Sequence, residues 1–209
     1  MVNIIRFHYQ EVYFVVPDYA MSAGTIFCMS GDKIFMDYSS SLGPIDPQVY
    51  NGKNWVPALG YLDKVQELID KSRQGTLTEA EFLVLQKLDL AELRSYEMAR
   101  NLTVSLLKNW LVNYKFKDWV THKNGNLVTP QEKEACAEEI ARLLGDNSLW
   151  HSHGRSIGID TLRNVLHLRI EDYSENLDLR SLIRDYNDLI CEYIIRRGAQ
   201  AFVHSRVFF

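Results

Sequence analysis

Residues 12–48 read VYFVVPDYAMSAGTIFCMSGDKIFMDYSSSLGPIDPQ, and the fold is decided here. Val12 to Val16 is a short apolar run of β-branched and aromatic residues, which reads as a buried strand that Pro17 and Asp18 stop. Ala20 to Thr25 then packs small residues around one hydroxyl, that of Ser22, before apolar periodicity resumes at Ile26, Phe27 and Met29 as at the mouth of a helix. In α/β proteins a strand, a tight small-residue turn and a helix expose a nucleophile at the C-terminal edge of a sheet. The backbone N–H groups and helix dipole that follow face any negative charge developing there. A second strand, Lys33 to Tyr38, leads into a Ser- and Pro-rich segment in which Asp46 sits stiffly between Pro44 and Pro47.

The composition bounds the class. With 209 residues, 46% hydrophobic and 24% charged, the chain has the makeup of an ordinary globular domain able to bury one sizeable core. A formal net charge of −4 and a pI near 5.9 give no basis for nucleic-acid binding or a basic membrane-surface patch. The apolar runs are a few residues long, against the roughly twenty needed to cross a bilayer, and no transmembrane segment is expected. The N-terminus lacks a basic region followed by an apolar core, so cytoplasmic residence is the simplest reading. Cys28, Cys136 and Cys191 are odd in number and far apart, which suggests buried free thiols rather than a disulfide framework or a zinc site.

The order A-x-S-A-G-T, an apolar helix, D-x-I-x-M and S-x-L-G-P-I-D-P-Q resembles the serine dehydrogenase-proteinase (SDH proteinase) family. That family is related to signal peptide peptidase A and, more distantly, to the ClpP/crotonase fold. The resemblance covers about the first sixty residues and returns at Leu149 to Ile157. It implies an α/β, ClpP/crotonase-like core with a helical insertion and a C-terminal helix, and a serine peptidase or hydrolase acting on peptide or protein substrates without a cofactor. It also implies a strand and a glycine-rich turn ahead of the first helix that supply part of the oxyanion hole. Neither precedes Met1, so the expectation is a core truncated at its N-terminus. Its exposed sheet edge would be covered by association, as in a homo-oligomer, and its activity would be impaired unless another chain supplies the donor.

The rest of the chain reads as helices. Met1 to Gln10 has helical spacing. A polar turn at Asn51 to Asn54 precedes a helix from Leu59 to Lys71. Two capping boxes compete, Thr76 with Glu79 and Thr78 with Glu81. Glu79 to Lys115 is one long helix, or two with a break near Asp89. Thr129 and Pro130 start another helix, ended by Gly145. A short helix is expected at Asp160 to Val165 and a final amphipathic one at Leu177 to Arg197, with Leu179, Leu182, Ile183, Tyr186, Ile190, Tyr193 and Ile194 inward and Gly198 as cap. The expected single domain divides into a sheet core at 1–58, a helical insertion at 59–145 and a C-terminal return at 146–209.

Ser22 needs a base before it can act as a nucleophile, although a serine among small residues is also an ordinary tight-turn residue. His151 and His153 lie in Trp150-His-Ser-His-Gly-Arg155, where His-x-His is by itself weak evidence for a metal. The resembling family is described as using Ser, Asp and His in that chain order. Carried over, this gives Ser22 as nucleophile, Asp46 as the residue orienting the imidazole and His153 as general base and acid. Asp46 could equally cap a turn. The N–H groups of Ala23 and Gly24 would form one side of the oxyanion hole, and one lost donor costs about 3 kcal/mol in such sites. A Ser/Lys dyad ranks lower. The position where signal peptide peptidase A relatives carry the lysine is Leu59 here, and Lys53 and Lys64 are the nearest alternatives. A non-catalytic scaffold or peptide-binding module of the same fold is the alternative function. No G-x-G-x-x-G lies between a strand and a helix, so no nicotinamide site is expected.

Overall fold

The computed structural model describes residues 1–50 and 52–205. It is a mixed helix-and-strand fold, as the α/β reading requires. Helix α1 (Val2–His8) precedes strand β1 (Tyr13–Val16), β2 (Tyr19–Ala20), helix α2 (Ala23–Cys28), β3 (Lys33–Met36), β4 (Ser41–Leu42) and a hairpin of β5 (Gln48–Tyr50) and β6 (Trp55–Pro57). Helices α3 (Ala58–Arg73), α4 (Glu79–Gln86) and α5 (Leu90–Trp110) follow, α5 running into a π-helical turn at Leu111–Lys115. Then come α6 (Pro130–Gly145), α7 (Asn147–Trp150), α8 (Ile159–Asn164), β7 (Glu171–Asp172) and α9 (Leu177–Arg197).

Two parallel ladders organise the chain. The larger sheet has the order β1-β3-β7, all parallel, with Tyr13 to Val16 paired to Lys33 to Met36. The smaller is β2 beside β4, with Ala20 opposite Leu42. Ile34 and Met36 point into one core shared with Met29, Leu107, Leu111, Ile140 and Leu144. Residues between 59 and 145 therefore contribute fully buried side chains to the same core as the strands.

Local sequence explains most boundaries. Of the two capping boxes, Thr78 with Glu81 forms, while Thr76 bonds back to the Lys71 carbonyl. The long helical stretch breaks where Asp89 accepts the Ala91 N–H and starts α5. Thr129 and Glu132 make the capping box of α6, and Gly198 at φ 60 closes α9. Asn51, the first residue of the expected polar turn, lies outside the described residues, as do 206–209 of the apolar end.

Other expectations are corrected. The first strand is buried on one face only: Phe14 packs edge-on against Phe27 at 4.7 Å, while Tyr13 and Val15 are about half exposed. A continuous apolar run predicts two covered faces, but only the face carrying Phe14 and Val16 packs on the core. Of the thiols, Cys28 is buried, Cys136 half-buried and Cys191 exposed. The amphipathic reading of α9 also fails, since none of its residues is buried and Leu182 and Tyr186 are mostly exposed.

Charge holds α9 instead. Asp37, fully buried after β3, accepts hydrogen bonds from the Ser39 and Ser40 N–H groups. Its carboxylate also receives Arg180 Nε and Arg184 Nη2, both at 3.0 Å. Arg184 Nη1 and Asn187 Nδ2 reach Asp18, each at 2.6 Å. Burial alone would raise the Asp37 pKa, but the Ser39 hydroxyl, Arg184 and Arg180 outweigh it and hold the carboxyl below the usual range. Removing one partner of a buried pair costs about 3–5 kcal/mol, so Asp37→Asn should be strongly destabilising at pH 7. A depressed folded-state pKa contributes stability above the unfolded value near 4 and loses it as the pH falls through the folded value. The gap between wild type and Asp37→Asn in urea unfolding should therefore be largest at neutral pH and shrink below about pH 4.

Candidate active site

The turn at Ser22 is built by a buried hydroxyl three residues further on. Thr25 Oγ1, fully buried in the first turn of α2, lies 2.7 Å from the Ala20 carbonyl and 2.9 Å from the Gly43 carbonyl, and accepts the Gly43 N–H at 3.0 Å. It ties the end of β2 and the start of α2 to the segment after β4. Gly43 packs closely on Met21: a Cβ here would displace the Met21 sulfur and sit 3.3 Å from the Met21 Cα. Met21 and Ser22 are thus pinned from behind.

Ser22 is the N-cap position of α2 with φ 50 and ψ −111. A positive φ at a residue other than glycine is strained by about 1–3 kcal/mol. Backbone of this kind clusters at active sites and tight strand-to-helix turns, and His151 and His167 share the positive φ. Ser22 is half-buried, and its hydroxyl makes no hydrogen bond among the described residues. The Ala23 N–H also donates to nothing among them, whereas the Gly24 N–H donates to the Met21 carbonyl at 2.8 Å. Ala23 and Gly24 line an open, mostly apolar cavity of about 590 Å³ with Ile26, Phe27, Leu106 and Trp110.

One rung of backbone pairing brings the other two segments alongside. Leu42, beside Ala20 in the small ladder, bridges Ile157 in the antiparallel sense through bonds of 3.0 and 2.8 Å. Because β2 and β4 run parallel, Ser22 and Asp46 leave the same end of the rung. Because Ile157 runs the other way, the residues just before it leave toward that same end, and His153 lies beyond them in a turn closed by the Arg155 N–H on the Ser152 carbonyl at 3.1 Å. Ser22 lies two residues from the rung, and Asp46 and His153 four each. At a rise of about 3.3 Å per residue, all three fall within roughly 13 Å of the rung.

The three do not form a hydrogen-bonded chain. Asp46, fully buried, accepts the Leu59 N–H and the Gln48 side-chain amide, both at 3.3 Å, and so caps the start of α3. His153 is half-buried, and its Nδ1 is buried without a hydrogen-bond partner among the described residues. Burial pushes its pKa below the ordinary value, which favours the neutral imidazole a general base requires. His151 is exposed, and among the described residues no three His, Cys, Asp or Glu side chains form a metal-binding group. Of the dyad lysines, Lys64 is paired with Glu67 at 2.8 Å on the exposed face of α3, and Lys53 is exposed. Sequence reasoning missed Thr25 and Gly43. A threonine and a glycine flanking a turn are unremarkable until the rung that joins them is known.

This combination of a parallel α/β core and a strained serine at a helix mouth defines a class of serine hydrolase-like folds. The chain belongs to the family of ClpP-like SDH-type serine proteinases, whose model matches residues 1–126. It is similar to two uncharacterized proteins of Methanocaldococcus jannaschii. The first is 32% identical over 168 residues, 77% of this chain and 47% of the relative; the second is 29% identical over 111 residues, 47% of this chain and 37% of the relative. The chain thus spans less than half the length of either. No solved structure matches. Among the described residues no helix is long and apolar enough to cross a membrane.

Thr25→Val keeps the side-chain shape but leaves the Gly43 N–H unbonded. It should lower stability by about 1–3 kcal/mol and, by releasing the Ser22 turn, slow covalent labelling of Ser22. Thermal denaturation with the labelling rate of the folded variant checks both.

Proposed function

We propose that the protein is a serine peptidase. Ser22 Oγ attacks a peptide carbonyl while His153 takes its proton. The imidazole then returns that proton to the departing amine, and water releases the acyl group from the serine by the same route. Asp46 orients the imidazole, and the Ala23 and Gly24 N–H groups, with the dipole of α2, face the oxyanion. The single observation carrying this reading is the Ala20–Leu42–Ile157 rung, from one end of which all three segments depart. The hydrogen bonds of a catalytic triad are commonly long until substrate closes the site, so the present separation is compatible with the roles. The apolar cavity beside Ala23 suits an apolar side chain of the substrate.

The finer architecture belongs to the same proposal. We read a ClpP/crotonase-like core at 1–58, a helical insertion at 59–145 and a C-terminal segment at 146–209 returning to the core. The substrates are peptides or proteins, and the protein acts as a homo-oligomer in the cytoplasm.

A second reading, a non-catalytic scaffold or peptide-binding module, is favoured by two observations. The Asp46 carboxylate is engaged at the start of α3, and the Gly24 N–H is already spent on Met21. A fluorophosphonate separates the two. Intact-mass measurement should show one adduct on the wild type and none on Ser22→Ala; an unlabelled wild type would leave only the second reading. His153→Ala should slow labelling about a hundredfold or more, while Lys53→Ala and Lys64→Ala should leave it unchanged. Loss in a lysine variant alone would point to the dyad. Because burial lowers the His153 pKa, the base stays unprotonated to lower pH than usual. The acid limb of the labelling rate should therefore have its midpoint below the ordinary histidine value of about 6.5.

A further inference from the structure

The opposite end of the large sheet carries a second cavity, of about 370 Å³, which the reading above does not use. It lies where β3 and β7 begin, at Asp32, Lys33 and Glu171, whereas Ser22 lies beyond the far ends of the strands. Its wall is the π-helical turn that ends α5. There the Phe116 N–H reaches back to the Leu111 carbonyl at 2.8 Å, five residues earlier. π-Helical turns are rare and concentrate at functional sites. Leu111 and Phe116 at its two ends are buried, and Lys115 lines the cavity beside Phe116 and Trp119.

Lys115 has no salt bridge or hydrogen bond among the described residues, although carboxylates are near. Those carboxylates are engaged elsewhere. Asp32 takes Arg6 at 2.7 Å and Lys117 at 2.5 Å, and Glu171 takes Arg169 at 2.9 Å. The result is a half-buried amine that lines a cavity and, among the described residues, lacks an ionic partner.

We propose that this cavity is an amine site, in which Lys115 Nζ captures a small carbonyl compound bearing a carboxylate as an imine. The nitrogen lone pair adds to the carbonyl carbon, and the resulting carbinolamine loses its oxygen as water, leaving a carbon–nitrogen double bond. No oxidant or reductant enters. The flat Trp119 and Phe116 rings, 5.6 Å apart, give the carbon skeleton an apolar wall. Lys33, which also lines the cavity, offers positive charge to the carboxylate.

Protonation supports the geometry. Burial pulls the Lys115 pKa down to about 8; Arg169 acts in the same direction, while Glu171, Asp32 and the Cys28 thiol oppose it and are outweighed. Asp118, His167 and Cys136 complete the polar lining. At pH 7 about a tenth of such an amine is unprotonated, against fewer than about one in a thousand for an ordinary exposed lysine.

The test is reductive trapping of the intact protein with glyoxylate and cyanoborohydride at pH 7, read by peptide mapping. A carboxymethyl group should appear on Lys115 at least about tenfold faster than on exposed Lys64 or Lys123, with a rate midpoint near pH 8. Even spreading over the exposed lysines, or a Lys115 rate no faster than that of Lys123, would overturn the site. Normalised to the exposed lysines, the preference for Lys115 should be greater with glyoxylate than with acetaldehyde. Equal preference would remove the carboxylate from the proposal. Lys115→Arg should lose this adduct while retaining phosphonate labelling of Ser22. The wild-type map alone decides the question if that variant does not fold.

Discussion

A single buried hydroxyl holds this structure's working end together. Thr25 Oγ1 meets the last carbonyl of β2 and both backbone groups of Gly43, so it joins the Ser22 turn, the first turn of α2 and the strand beside them. Everything near Ser22 inherits its position from that junction. The positive φ of Ser22 is sustained because the chain on either side cannot relax, and strain of that kind persists only where the surroundings over-determine it. Gly43 adds to the constraint by letting the segment after β4 pack closely against Met21.

Charge, more than apolar burial, fastens the outer helices to this core. At the C-terminal ends of the strands, Asp18 and Asp37 receive Arg180, Arg184 and Asn187 from α9. At the opposite end, Asp32 receives Arg6 of α1, whose guanidinium also stacks 3.8 Å over the Tyr114 ring of the π-turn. Both helices leave apolar side chains in solvent, among them Phe7, Leu182 and Ile195. The sheet is thereby clamped at both ends, with the serine turn at one and the amine cavity at the other.

Local chemistry was readable wherever it was sufficient. The Thr129–Glu132 and Thr78–Glu81 boxes, the stop at Gly198 and the break at Asp89 follow from backbone groups that need partners within a few residues. The choice between Thr76 and Thr78 was not readable, because both present the same pattern and only the path of α3 decides. The inward face expected for α9 was misread for a related reason. Helical periodicity reports which residues share a face, and it does not say whether a core stands opposite.

By itself the sequence determined the first strand, the turn and helix around Ser22, and the resemblance to the family, because these are carried by residues adjacent in the chain. Only the tertiary structure decided that Asp46 reaches the start of α3, that the segment ending at Ile157 pairs with Leu42, and that Lys115 lines a cavity without an ionic partner among the described residues. Those facts rest on pairings between residues far apart in the chain, such as Leu42 with Ile157 and Asp37 with Arg184. No local preference encodes such a pairing, because its free energy appears only once the intervening chain has closed.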